Sequence, residues 1–276
     1  MKLFEKTLVV YKPVEGCLKL AGLASTVLRT YGVDTYTITV DDLYNQATYR
    51  GEAPRFDLVV SIGGDGTFMK SAKCAGYASL ILPYPCGKRN AYYEHGLQGI
   101  DRVVERVLNG DFYLEYIPLY SMCVEESCRI FINDAVVASV DLGKVAKFRV
   151  NMESNVVKTS IFFEGDGVIV ASSYGSSGHS LSAGGPIIIP EHESLVITPL
   201  NPLQTGIKSL VAPPYSKVVL WAKNPAHLYT DGDHVALLKG GNVIRVEHSH
   251  RYLKVIRFSV KRDTWRAIIE PRQCVF

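Results

Sequence analysis

The chain has 276 residues, room for one large or two modest domains that each bury a sizeable core. Its composition, 47% hydrophobic and 21% charged, is that of a folded protein and excludes a disordered one. A formal charge of +3 is too small to argue for nucleic acid or an anionic membrane as partner.

The opening MKLFEKTLVVYKP has neither the apolar core nor the small-residue cleavage pattern of a secretory signal, and no apolar run reaches membrane-spanning length. A cytoplasmic protein without membrane or nucleic-acid partners is expected. The six cysteines, Cys17, Cys74, Cys86, Cys123, Cys128 and Cys274, contain no CxxC pair and no zinc spacing, so free thiols and no dedicated metal site are expected.

In chain order, TLVVYKP reads as a strand and LKLAGLASTVLRTYG as a helix, with Leu20, Leu23, Ala24, Val27 and Leu28 as its apolar stripe and Gly32 as its stop. VDTYTITV is the next strand, followed by a short helical piece around Leu43. FDLVVSI leads into a glycine turn, a helix from about Thr67 to Ala78, and the strand SLILPY. Ile100, Val103, Val104, Val107 and Leu108 then keep the helical period until Asn109 and Gly110 close it. Strands separated by helices of this size predict a parallel sheet, with the glycine turn at the carboxyl end of a strand, where open α/β sheets place their ligands.

After Gly110 the period changes. FYLEYIPLYSMCVE, CRIFINDAVVAS, AKFRVNMES, KTSIFFEGDGVIVAS, ESLVITPL, SKVVLWA and GNVIRVEHSH are strand-like pieces divided by Gly, Pro, Asn and Asp. The expected organisation is an α/β domain over 1–110, a mainly antiparallel β-rich domain over 111–248, and a strand with a short helix over 249–276 that returns to the first domain. Such a layout favours a cleft enzyme over a scaffold.

Two stretches carry candidate chemistry. In SIGGDGTF, Gly63, Gly64 and Gly66 allow close backbone approach and Thr67 starts a helix, so amides there can meet phosphate oxygens. The stretch is neither a Walker loop nor a Rossmann fingerprint. A carboxylate among phosphate-binding amides would repel the ligand unless it accepts a substrate hydroxyl proton or helps hold Mg2+, which makes Asp65 a catalytic candidate; an ordinary solvent-facing turn is the alternative. In FEGDGVIVASSYGSSGHSLSAGGPIIIP, small donors alternate with glycines, and the apolar flanks argue for a packed loop over a flexible linker. Asp166 sits at its entrance. Asn133 and Asp134 interrupt an apolar strand, where regular pleating would point them to opposite faces, one into a cleft; an edge-strand turn fits the spacing equally. Asp231, Gly232 and Asp233 read as a hairpin turn.

Taken together, GGDGT at Gly63 to Thr67, the pair at Asn133 and Asp134, and DGVIVASSYGSSGHSLSAGGPII from Asp166 to Ile188 resemble the NAD kinase family. The resemblance implies an NAD-kinase-like fold and ATP-dependent phosphorylation of the 2′-hydroxyl of NAD, with Mg2+ on the triphosphate and a homo-oligomeric assembly. It implies that Asp65 aligns or activates the acceptor hydroxyl and that Gly63, Gly64, Gly66 and Thr67 approach the phosphates. Lys88 and Arg89, outside the matched motifs, are candidates to face a phosphate or an anionic acceptor in a kinase of another metabolite; as ordinary surface cations they need no function. The resemblance also implies that Asn133, Asp134, Asp166, Tyr174, Ser177, Gly178, His179 and Ser182 surround the acceptor. Three stretches depart from the family pattern. PYPCGKRNAYYEHG stands where NxGxLGFL is usual, SSYGSSGHSLS stands for TPTGSTAYSLS with His179 in a tyrosine position, and Asp134 replaces glutamate. A kinase for another small hydroxylated metabolite, such as a nucleoside, sugar or polyol, and a noncatalytic nucleotide-binding protein are the alternatives.

Overall fold

Four short strands build a parallel sheet in the first part of the chain. β1 (Lys6–Tyr11) lies between β2 (Asp34–Thr39) and β3 (Leu58–Gly63), and β3 pairs with β4 (Leu80–Pro85). Parallel neighbours need crossovers, and α1 (Glu15–Thr30), α2 (Val40–Arg50) and α3 (Asp65–Cys74) supply them; α4 (Ile100–Leu108) follows β4. The computed structural model describes residues 3–50, 55–86, 91–141 and 143–260, with backbone alone for 46–50. It divides the chain into two units, Met1–Ile117 with the segment from Tyr252 onward, and Pro118–Arg251. Among the described residues no helix is long and apolar enough to cross a membrane.

In the first unit β3 is buried at all six positions, which requires cover on both faces. Val9, Val60, Ile62 and Leu82 share a core with Ala21, Ala24 and Leu28 of α1 and with Ile100, Val103, Val104 and Val107 of α4. The alternate residues Leu8, Val10, Val59 and Ile81 are equally buried and point to the opposite face, where α3 packs on β3 and α2 on α3. The face of α1 matches the expected one at Ala24 and Leu28, with Leu20 and Val27 packed partly against the same core, and departs from it at Leu23. Leu23 is 53% exposed, and the buried stripe is Cys17, Ala21, Ala24 and Leu28, whose small members let the helix sit close to its neighbours.

The second unit stacks two sheets. One runs β12 (Leu210–Ala212), β11 (Leu195–Leu200), β10 (Gly167–Ser172), β7 (Asp134–Ser139), β14 (Ala226–Thr230) and β15 (Asp233–Leu238), each pair antiparallel. The other contains β9 (Lys158–Gly165), β8 (Ala146–Glu153), β13 (Lys217–Ala222) and the first half of β16 (Val243–Arg257), with the hairpin of β5 (Tyr113–Val124) and β6 (Ser127–Phe131). Ala135, Val137, Val168, Val170, Leu195 and Ile197 of the first sheet meet Phe148, Val150, Val218, Leu220, Ile244 and Val246 of the second in one core. The intervening Val136, Ile169, Ala171 and Val196 form a smaller buried group on the other face of the first sheet.

Three sequence expectations are corrected here. GNVIRVEHSH and RYLKVIR form one strand, β16, which continues past a local left-handed residue, His250, with a positive φ of 56°. Its final residues Lys254 and Val255 pair in parallel with β4. CRIFINDAVVAS is two strands, not one, because the chain turns at Ile132 and Asn133. Four cysteines expected as free thiols are disulfide-bonded. Cys17 at the start of α1 joins Cys86 just after β4, and Cys123 joins Cys128 directly across the β5–β6 ladder. Cys74 is buried and free. Cys274 and the short helix expected near the carboxyl terminus lie outside the described residues.

Candidate active site

The GGDG stretch in the first unit is barely a loop. β3 ends at Gly63 and α3 starts at Asp65, so Gly64 alone turns strand into helix, with extended backbone at φ −119° and ψ −174°. Its carbonyl accepts the amides of Thr67 at 2.8 Å and Phe68 at 3.1 Å. Gly63 is required by close packing, since a Cβ there would lie 2.3 Å from Oγ1 and 2.6 Å from Cβ of the buried Thr67. No side-chain hydrogen bond caps the start of α3, and helix N-termini generally suit anions. Asp65 is the first helical residue, where the helix dipole favours a negative charge. Its Oδ1 accepts the amide of Tyr92 at 3.1 Å, and the Tyr93 hydroxyl donates to the Gly64 carbonyl at 2.9 Å. The Cys86 amide donates to the Gly63 carbonyl at 2.8 Å.

In the second unit a cavity of about 390 Å3 opens on the outer face of the first sheet, lined by Asn133, Asp134, Val136, Ala138, His179, Leu200, Tyr229, Asp231 and Gly232. Asp134, Val136 and Ala138 share it because alternate residues of β7 face one side. Asn133 joins them from the turn before β7, so both members of the pair line the cavity, where regular pleating through both positions predicted opposite faces. Asp231 and Gly232, with φ of 49° and 85°, make the two-residue turn between β14 and β15. The Asp231 carboxylate accepts the amides of Ile132 at 2.9 Å, Asn133 at 2.6 Å and Asp134 at 3.3 Å. It therefore braces the turn that presents the Asn–Asp pair. Burial, and then the negative charge of Asp231, push the Asp134 carboxyl up to about 7.

The Ser/Gly segment is folded onto the same turn. The Ser172 amide donates to the Asn133 carbonyl at 2.8 Å, and the Ser172 hydroxyl donates to the Ile132 carbonyl at 2.6 Å. The chain then makes a short 3-10 turn, Gly175–Ser177, and α5 (His179–Ser182). A Cβ on Gly175 would lie 2.0 Å from the Asn133 carbonyl oxygen, so the turn fits against Asn133 only without a side chain. Ser176 donates to the Ser173 carbonyl at 2.7 Å and accepts the Ile188 amide at 2.9 Å, and Ser180 bonds Thr198 at 2.8 Å. These serines hold the segment in shape.

Of the residues read from sequence, Gly63, Gly64, Asp65, Gly66 and Thr67 lie together at the β3–α3 junction, and Asn133, Asp134 and His179 come together in the cavity. Tyr174, Ser177, Gly178 and Ser182 belong to the segment carrying His179 but do not line the cavity, and Ser177 is buried. Asp166 precedes β10 beside the Ala138 and Leu200 end; its amide donates to the Leu200 carbonyl at 2.9 Å and its carboxylate accepts from Asn201 at 2.7 Å. Lys88 and Arg89 lie outside the described residues. Sequence reading missed Tyr229 and Leu200, and took Asp231 for a plain turn residue. The DG pair signalled the turn, but nothing local showed that its carboxylate would collect amides 97 to 99 residues earlier in the chain.

Residues 132–258 match the family model described as the ATP-NAD kinase C-terminal domain. The chain is 33% identical over 201 residues to an NAD kinase of Thermotoga neapolitana, covering 73% of this chain and 76% of that one. It is 30% identical over 258 residues to an NAD kinase of Ruminiclostridium cellulolyticum, covering 90% and 87%. Its fold is similar to an NAD kinase from Archaeoglobus fulgidus solved in complex with ATP, with a TM-score of 0.72 at 22% identity over 95% of both chains. It is also similar to yeast NADH kinase complexed with NADH, with a TM-score of 0.80 at 16% identity over 96% of this chain and 87% of that one.

Proposed function

The chain belongs to the NAD kinase family, and from that premise we propose that it transfers the terminal phosphoryl group of ATP to the 2′-hydroxyl of the adenosine ribose of NAD, yielding NADP and ADP. The observation that carries this reading is the β3–α3 junction, where Asp65 stands as the first residue of a helix whose opening amides carry no side-chain cap. The amides suit phosphate oxygens and the carboxylate suits a hydroxyl. As the acceptor oxygen attacks the terminal phosphorus in line, the bond to the bridging oxygen breaks and ADP departs; Asp65 orients the hydroxyl and takes its proton. Asn133 and Asp134 hold ribose hydroxyls, Asp231 keeps that pair in place, and His179 meets a base. Within the second unit, holding Asn133 and Asp134 in place before the substrate arrives removes an entropic part of the barrier.

Magnesium enters as part of the MgATP substrate, where it neutralises charge on the triphosphate. The reading extends to a homo-oligomer in the cytoplasm, in line with the resemblance of the sequence motifs. Disulfides in that compartment are uncommon outside hyperthermophiles, and counting the thiols of freshly isolated protein tests that part.

His179 favours a second reading. It lines the cavity where the family pattern has tyrosine, and a protonatable ring alters both stacking and hydrogen bonding toward an acceptor. The deciding experiment incubates purified protein with MgATP and, separately, NAD, nucleosides, sugars and polyols, following phosphorylated products by mass spectrometry. NADP is the expected product, and Asp65→Asn lowers its rate by about 100- to 10,000-fold with the melting temperature little changed. Turnover of another acceptor without NADP replaces the first reading with the second. Nucleotide binding without any turnover replaces both with a noncatalytic protein.

A further inference from the structure

The segment Tyr92–Glu94 stands where the family pattern has a different sequence, and it grips the Asp65 junction from within the first unit. Two consecutive residues act on two consecutive residues: the Tyr93 hydroxyl donates to the carbonyl of Gly64, and the Tyr92 amide donates to the carboxylate of Asp65. The segment is itself anchored by three contacts, two on Phe68 and one on Phe258. The Tyr92 ring stacks on Phe68 of α3, with centroids 4.4 Å apart and planes 17° from parallel. Tyr93 is 1% exposed and meets Phe68 edge-on. The buried Glu94 carboxylate accepts the amide of Phe258 at 2.9 Å.

A buried tyrosine hydroxyl usually finds a hydrogen-bond partner, and many do so with no bearing on catalysis. Here the acceptor is the carbonyl that already receives the first two hydrogen bonds of α3, so the bond sets where the helix begins. The neighbouring amide then sets where the first carboxylate of that helix points. Burial pushes the Tyr93 hydroxyl above its ordinary range, so it keeps its proton and remains a donor at any working pH. We infer that Tyr93, through the Tyr92 amide and the Gly64 carbonyl, is a positioning residue that orients the Asp65 carboxylate for phosphoryl transfer. The inference rests on the reading of Asp65 as the acceptor-facing carboxylate.

The test is Tyr93→Phe, which keeps the ring against Phe68 and removes the hydroxyl, with its bond to the Gly64 carbonyl and its hydrogen bond with the buried Ser61 side chain. Steady-state turnover is measured with MgATP and NAD, alongside amide exchange at Tyr92 by NMR in the wild type, Tyr93→Phe and Asp65→Asn. The expected result is a fall in kcat of about 10- to 100-fold with KM for both substrates within about twofold, since misplacing a reacting group acts on the transition state. Faster exchange of the Tyr92 amide in both variants is expected with it. Unchanged kcat in a Tyr93→Phe protein whose Tyr92 amide exchanges faster overturns the inference and leaves the proposed function intact. If wild-type protein makes no NADP, the proposed function fails by itself; the contact is then judged by exchange, and unchanged Tyr92 protection in both variants overturns it. A Tyr93→Phe protein that merely raises both KM values and unfolds earlier, with kcat kept, also overturns it, because that is the behaviour of a purely structural bond.

Discussion

Asp134 shows how a single residue takes its chemistry from chain that sequence order keeps distant. The Asn–Asp pair was legible as a candidate, yet its electrostatic setting was not, because Asp231 reaches it from 97 residues away. The folded carboxyl is held at about 7, first by burial and then by Asp231, whereas an unfolded aspartate titrates near 3.9. Between those values the folded state keeps a proton that the unfolded state has released. Stability therefore falls as pH rises from about 4 to about 7 and is flat in this group above that, a span on the order of 4 kcal/mol at 1.36 kcal/mol per unit. Asp134→Asn removes this dependence, so the difference in melting temperature between variant and wild type should grow with pH from 4 to 7 and favour the variant at pH 8. A difference curve flat across that range would mean that Asp134 ionises in the fold as it does in water.

At the level of elements, periodicity revealed the kinds of structure better than their faces and ends. The stripe of α4 could be read from Ile100, Val103, Val104 and Val107, all buried. For α1 the pattern found Ala24 and Leu28, while packing against α4 and the sheet selected Ala21 as well and left Leu23 outside. The break between β6 and β7 was hidden for a related reason: Ile132 and Asn133 carry no Gly or Pro, and their turn is held by Asp231 and Ser172 from elsewhere in the chain. Gly175 was visible only as one glycine among several in that segment, and its requirement comes from the Asn133 carbonyl oxygen 2.0 Å from where a Cβ would be. Gly175→Ala should destabilise the protein by about 1–3 kcal/mol, the usual cost of forcing extra volume into a packed site, and raise KM for NAD by displacing Asn133. Gly22→Ala, on the exposed side of α1 with nothing within 4 Å of its added Cβ, is the control and should be neutral or stabilising by about 0.5–1 kcal/mol. Thermal melts and NAD titrations of the two variants check both statements, and equal behaviour would show that the Ser/Gly turn yields without cost.

Across the whole molecule, the change of text after Gly110 was legible because the apolar period drops from helical to alternating. The pairings that tie distant segments together were not, since Cys17 and Cys86 are 69 positions apart and sequence carries no sign of their meeting. The same holds for Glu115 and Arg257, 142 positions apart, which face each other where the chain leaves the first unit along β5 and re-enters it along β16. Arg257 Nε donates to Glu115 Oε2 at 2.7 Å and a second guanidinium nitrogen lies 2.6 Å from the same oxygen. The arginine side chain is 3% exposed and the glutamate 21%, so the two charges are unequally cut off from water. Removing one member of a buried pair costs about 3–5 kcal/mol, mostly through the charge left behind. Stranding the more deeply buried charge is the more expensive of the two, so Glu115→Leu should destabilise the first unit more than Arg257→Leu. The double variant should recover most of the loss, because neither charge then has to be desolvated. Urea unfolding followed through amide exchange in β1 and β3, which report on the first unit alone, measures all three; a double variant as unstable as the sum of the singles would show that the pair contributes through its packing and not through its charges.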